Sequence, residues 1–166
     1  MAMADDIAAI AAQEKALVFD RFDSATAFEL GAALRQRGLA EALPIVIDIR
    51  LWDRPLFYAA LPGSTAANAD WARRKRNSVE MFHKSTYRLH LEQGGQEQIF
   101  PPRYGLSADR YAIAGGGFPI VVKGVGAIGV VAVSGLPQRR DHELVVAILA
   151  ETLGHDPQRL ALPATD

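Results

Sequence analysis

FPIVVKGVGAIGVVAVSG, Phe118 to Gly135, holds glycines 124, 126 and 129 at the spacing G-x-G-x-x-G. In a dinucleotide-binding protein that spacing joins a strand to a helix, whose free N–H groups hold a pyrophosphate. The strand is there, Phe118 to Lys123, but no helix pattern follows it. After Gly126 the chain reads AIGVVAVSG, and the β-branched Ile128, Val130, Val131 and Val133 make a second strand. An acidic residue for the ribose is wanted about 20 positions on. That window, Val145 to Ala147, is apolar. The stretch therefore reads as a β-hairpin turning through Gly124 and Gly126. Gly129, inside the second strand, marks a bulge or the close approach of another backbone or a ligand.

A second hairpin lies upstream. PIVIDIR (Pro44 to Arg50) and RPLFYAAL (Arg54 to Leu61) are separated only by Leu51 to Asp53. So short a link makes the pair antiparallel, because parallel strands need a crossover of about a dozen residues or more. LVFDRF (Leu17 to Phe22) predicts a short strand. Helices are expected from Asp5 to Ala16, from a cap at Asp23 or Ser24 to Gly38, from Ser64 or Asn68 to Ser85, and from Arg140 to Leu153. Pro157 is expected to prevent the last one from resuming. TYRLHLE (Thr86 to Glu92) alternates and is left open, and Gln93 to Leu106 reads as a loop. The order hairpin, helix, hairpin, helix is not that of βαβ units. It predicts an α+β fold, an antiparallel sheet with helices.

The 166 residues suit a single domain, 1–166, large enough to enclose a core. A formal net charge of −1 gives no bulk attraction to nucleic acid or to an anionic membrane. Cysteine is absent, which removes disulfides, thiolate metal ligands and cysteine nucleophiles. No run approaches the roughly 20 apolar residues of a membrane helix. MAMADDIAAIAAQE lacks the basic start and apolar run of a signal peptide, so a cytoplasmic location is expected.

Four segments together carry a family resemblance: GGGFPIVVKGVGAIGVVAVSG, WARRKRN (Trp71 to Asn77), ALPG (Ala60 to Gly63) and VSGLPQRRDHELVV (Val133 to Val146). They resemble the GlcG-like, haem-degrading-domain family, in its uncharacterised UPF-type branch, from about Leu17 to Leu153. The resemblance implies an α+β sandwich near the profilin-like layout and a homo-oligomer, ring-like or higher. It also implies haem as the cofactor to consider.

The residues themselves suggest where chemistry would sit. On a helical wheel Trp71, Ala72, Val79 and Phe82 form an apolar stripe, and Lys75 falls inside it, flanked by Arg74 and Arg76. Lys75 is either snorkelling or paired with an acid, or it is the centre of an anion site with those arginines as bidentate contacts. Asp48, mid-strand in IVIDI, needs a partner, either Lys75 or an arginine. Asp141 suits a helix N-terminus; alternatively Ser134, Asp141 and His142 edge a ligand site at the end of the last strand. His83 or His90 could be an axial haem ligand. Glu80 and His83 give one E-x-x-H pair where di-iron bundles use two, so no metal site is expected. A serine-hydrolase elbow is absent. The expected function is an oligomeric protein binding a small anionic ligand, with haem as one form of it. The alternatives are a structural or adaptor assembly protein without catalysis and a weak enzyme of unknown substrate.

Overall fold

Alternating β-branched residues give the sheet two apolar faces, and helices cover both. The computed structural model describes residues 2–95 and 100–165. β1 (Val46–Leu51) and β2 (Arg54–Ala60) form the first hairpin, and β3 (Gly117–Val122) and β4 (Gly126–Ser134) the second. The order is β2-β1-β4-β3 with every neighbour antiparallel, so the fold is α+β as the hairpin order predicts. Ile45, Ile47, Ile49, Val131, Val133 and Ile120 face one core. There they meet Leu30 and Leu34 of α2 (Ser24–Ala40) and Val145, Ile148 and Leu149 of α5 (Gln138–Thr152). On the other face Val46, Val130 and Ala132 pack against Ala72 and Val79 of α3 (Ala66–Phe82). Each such aliphatic side chain contributes about 1.5–3 kcal/mol by leaving water, so a charge on these faces is a costly exception. Asp48, on the α3 side of β1 and 2% exposed, is one.

GVGAIG is a turn. Gly124 (φ 79°) and Gly126 (φ 111°) take left-handed backbone conformations, and Val125 N–H donates to Val122 O at 3.0 Å. Ile120 pairs with Gly129 while Val121 pairs with Ala127, so the bulged residue is Ile128, beside the glycine. A Cβ on Gly129 would lie 2.1 Å from the carbonyl oxygen of Arg50. The close neighbour is therefore the backbone of β1.

The helix ends refine the sequence reading. Asp23 caps α2, its Oδ1 accepting from Thr26 N–H at 2.9 Å. α3 starts between the two expected sites, with Asn68 Oδ1 accepting from Thr65 N–H at 2.8 Å. It stops before Ser85 because His83 adopts φ 53°. Ser85 then caps a separate α4 (Thr86–Glu92), which resolves TYRLHLE as helix. LVFDRF reduces to one parallel bridge, Phe19 to Val122, whose two 2.8 Å hydrogen bonds cover the free edge of β3. Pro157 does not stop the chain from turning again: it opens α6 (Pro157–Leu160), where its missing N–H costs nothing. Within the expected loop, residues 96–99 lie outside the described residues, and Pro102–Tyr104 form a 3-10 turn.

α1 (Ala2–Ala16) docks through one buried amide. Gln13 Nε2 donates to Leu160 O at 2.6 Å, so its Oε1 accepts from His142 Nε2 at 2.8 Å. Wholly buried, His142 is held neutral, its pKa pushed down from 6.5 to about 3 by burial and then by Arg139.

Two stability measurements test this architecture. Gly129→Ala should lower the unfolding free energy by about 1–3 kcal/mol through overpacking against Arg50. Gly124→Asn, in an open turn that tolerates left-handed Asn, should cost less than about 1 kcal/mol. Equal denaturant midpoints for the two variants would refute the close approach. His142 supplies the second. Between pH 6.5 and 3 the unfolded state binds the extra proton, so this group's stability is full above 6.5 and lost as pH falls. The limiting slope is roughly 1.4 kcal/mol per pH unit. His142→Gln should flatten the acid branch of urea midpoint against pH, and an unchanged branch would show that His142 is not held neutral.

Candidate functional site

The end of β4, the start of α5, the N-terminal half of α3 and the loop before β3 enclose a pocket of about 520 Å³. Lys75 belongs to the buried side of α3, as its place in the apolar stripe predicts. Its side chain crosses the end of the sheet. There Nζ donates to Val133 O at 3.0 Å and to Asp141 Oδ2 at 3.2 Å. The two side chains are 3% and 1% exposed, and both residues line the pocket. Asp141 is not the N-cap of α5, a position held by Pro137. It sits in the first turn and reaches back, Oδ1 accepting from Leu136 N–H at 3.1 Å. Burial raises its pKa from 3.8 to about 6, against the pull of Lys75. Burial likewise lowers Lys75, against the pull of Asp141. An ion pair and its neutral alternative, amine and carboxyl, each hold one shared proton, and burial works toward the neutral one.

Backbone seals the pair from the sheet side. Gly116 has φ 128°, and a Cβ there would lie 2.2 Å from Val133 O and 2.9 Å from Lys75 Nζ. The GGG run is thus the sequence signal for the pocket's back wall. Gln138 ties that wall to the opposite side, its Oε1 accepting from Gly115 N–H at 3.0 Å and its Nε2 lying 3.2 Å from His90 Nε2.

The arginines around Lys75 face other duties. Asp70 holds Arg73 at 2.8 Å and Arg74 at 3.0 Å, and the Arg74 guanidinium lies 4.0 Å from the Trp71 ring centroid. Arg73, Arg74 and Asn77 donate to the carbonyls of Asp109, Ala108 and Arg110. Ala112 N–H in turn donates to Arg74 O at 3.2 Å. WARRKRN thereby pins the loop whose Ala112, Ile113 and Ala114 form a wall of the pocket. Arg76 turns the other way, to Asp48 Oδ2 at 2.8 Å, and Arg50 Nε lies 3.4 Å from Asp48 Oδ1. The partners of Asp48 are these arginines; Lys75 pairs elsewhere.

Of the other expected residues, Ser134 and His90 line the pocket. His142 points into the core, where its ring meets those of Tyr87 and Phe118. His83 is exposed at the far end of α3, stacked on Trp52 at 5.7 Å. Among the described residues no group of three His, Asp or Glu is placed to hold a metal ion, and no helix is long and apolar enough to cross a membrane. Sequence reasoning missed Gln138 and the 112–114 wall, and took Asn68 only as a cap.

A model of a family described as haem degrading protein HbpS-like matches residues 22–150. The UPF0303 protein of Mesorhizobium japonicum is 58% identical over 162 residues, covering 98% of this chain and 97% of that protein. Among solved structures, the Ybr137w protein superimposes with a TM-score of 0.79 at 25% identity, over 89% of this chain and 87% of that one. A structure described as a PduOC:heme complex has a TM-score of 0.64 at 18% identity, over 78% and 93% of the two chains, a likeness of fold alone. The family match runs from just before α2 to near the end of α5, the elements that build the sheet, its two helical layers and the pocket; the chain belongs to the haem-degrading, HbpS-like family.

Proposed function

We propose that the pocket binds a small organic anion, with Lys75 supplying its charge. The observation that carries this is the Lys75–Asp141 pair in the pocket wall. Burying two ions costs several kcal/mol each, and an apolar pair of similar volume would often hold a core at least as well. The polar groups of Asn68, Ser134 and Gln138 share the lining with the apolar Trp71, Ile113 and Leu136. That mixture suits a small molecule with one charged end. Arg74, Arg76, Asp48 and His142 support the walls or the core and are not contacts in this reading.

Charge arithmetic sets the mechanism. The pair with one shared proton is neutral overall. An entering anion favours the form with two protons, Asp141 neutral and Lys75 cationic, so binding takes up a proton. Because the pKa of Asp141 is already near 6, affinity is highest below that pH and weakens above it, by up to about tenfold per pH unit.

Haem is the group that kinship suggests, and the residues present do not fit it as they stand. His90 is the histidine in the lining, and its Nε2 faces the Gln138 amide. Both flanking arginines are held by carboxylates, so Lys75, itself paired with Asp141, is the cation in the lining for haem's two propionates.

Calorimetric titration with lactate and with inorganic phosphate at pH 6 and pH 8 checks the reading. The expected result is saturable binding, weaker at pH 8, with proton uptake seen as a buffer-dependent heat, and lost in Lys75→Met. Binding that is unchanged in Lys75→Met would refute it. In parallel, haemin should give no saturable Soret shift that His90→Ala abolishes; such a shift would reinstate haem.

Homo-oligomeric assembly is a second reading, carried by a different surface. β2 is the outer strand of the sheet, Tyr58 on it is 52% exposed, and Phe28, packed edge-on against Phe57, is 63% exposed. An open strand with apolar neighbours favours pairing with a second copy. Light scattering should give a multiple of the 18.0 kDa chain mass that falls in Tyr58→Glu. A wild-type mass of one chain would end this reading.

A further inference from the structure

We infer that Lys75 is a carbonyl-trapping amine: the pocket takes a small aldehyde or 2-oxo acid and holds it as an imine on Nζ, with Asp141 as the acid that completes the step. The inference rests on the pocket being a small-molecule site, and it names the substrate class of that site.

The geometry is that of an activated amine. A lysine becomes nucleophilic when desolvation keeps it neutral at ordinary pH. Lys75 is 2% exposed and lines a 520 Å³ pocket, so its side chain is withdrawn from bulk water beside a space for a small molecule. Asp141 Oδ2 lies 3.2 Å from Nζ, within reach of a proton moving to or from the reacting centre. Burial favours the neutral form of both groups. Gly116 leaves only backbone behind the amine, where a Cβ would come within 2.9 Å of Nζ.

The step balances without an outside reagent. The Nζ lone pair attacks the carbonyl carbon, and the carbonyl oxygen becomes a hydroxyl by taking an amine proton. The Asp141 carboxyl then protonates that hydroxyl, which leaves as water. The products are an iminium on Nζ, a carboxylate on Asp141 and one water. The neutral pair has become an ion pair, with no change in oxidation state and no net proton exchanged with solvent.

Reductive trapping tests it in the wild-type protein. The chain has four lysines: Lys15 and Lys123 are exposed, Lys84 is half-buried beside Glu92, and Lys75 is buried. The protein is incubated at pH 7 with propanal or pyruvate and sodium cyanoborohydride, and adducts are mapped by peptide mass spectrometry. The expected result is an adduct at Lys75 at least tenfold more abundant than at Lys15, Lys84 or Lys123, and slowed severalfold at Lys75 alone in Asp141→Asn. A merely structural buried lysine would be the slowest of the four. The comparison is internal, so it does not depend on a variant folding. Lactate, which has no carbonyl to trap, is titrated alongside. If lactate binds and Lys75 carries no excess adduct, the imine is overturned and the anion site stands. If neither lactate binds nor Lys75 reacts, both are overturned.

Discussion

One amino group holds three parts of the molecule together. Lys75 stands on α3, on one face of the sheet; Asp141 stands on α5, on the other; and Val133, whose carbonyl takes the second hydrogen bond, lies near the end of β4 between them. The contact can form only where the sheet ends, because anywhere else a strand would intervene. It also dictates its surroundings. Ions out of water demand several kcal/mol of compensation each, supplied here by a carbonyl, a carboxylate and the Leu136 N–H. They leave no room for a side chain at Gly116. A polar wall with backbone behind it and open space in front is what remains.

The cations beside Lys75 show how a charged motif can serve architecture. Four basic residues in a row suggest a basic face, but an α-helix points successive side chains about 100° apart. Arg73 and Arg74 meet Asp70 and the carbonyls of Asp109 and Ala108, Lys75 crosses the sheet end, and Arg76 meets Asp48. The run thus serves three different neighbours. Most of its charge shapes the loop that walls the pocket.

The hairpins, the element order and the place of Lys75 in an apolar stripe were legible because each depends on local rules: strand period, short links, helical angle. GVGAIG was correctly read as a turn because the residues after it are β-branched, a signal confined to a few positions. The partner of Lys75 was not legible, because Asp141 is 66 positions away and periodicity carries no information across that distance. TYRLHLE was ambiguous for a physical reason. α4 is one short helix with Thr86, Tyr87, Leu89 and Leu91 all buried, so its apolar residues show no single face. Gln138 escaped notice because its role, bridging Gly115 and His90, exists only once the chain is folded.

Proton count links the two chemistries assigned to the pocket. The Lys75–Asp141 pair holds one proton whether written as ammonium and carboxylate or as amine and acid. An anion entering beside it stabilises the two-proton form and draws a proton from solvent. A neutral carbonyl compound consumes the amine, releases water and leaves the proton count unchanged. A 2-oxo acid would do both. The protonated imine keeps the positive charge on Nζ, the substrate carboxylate can balance it, and Asp141 is then free to return to its protonated form. The depressed amine and the elevated acid, each unfavourable for a plain ion pair, become complementary for a ligand that brings a carbonyl and a negative charge together.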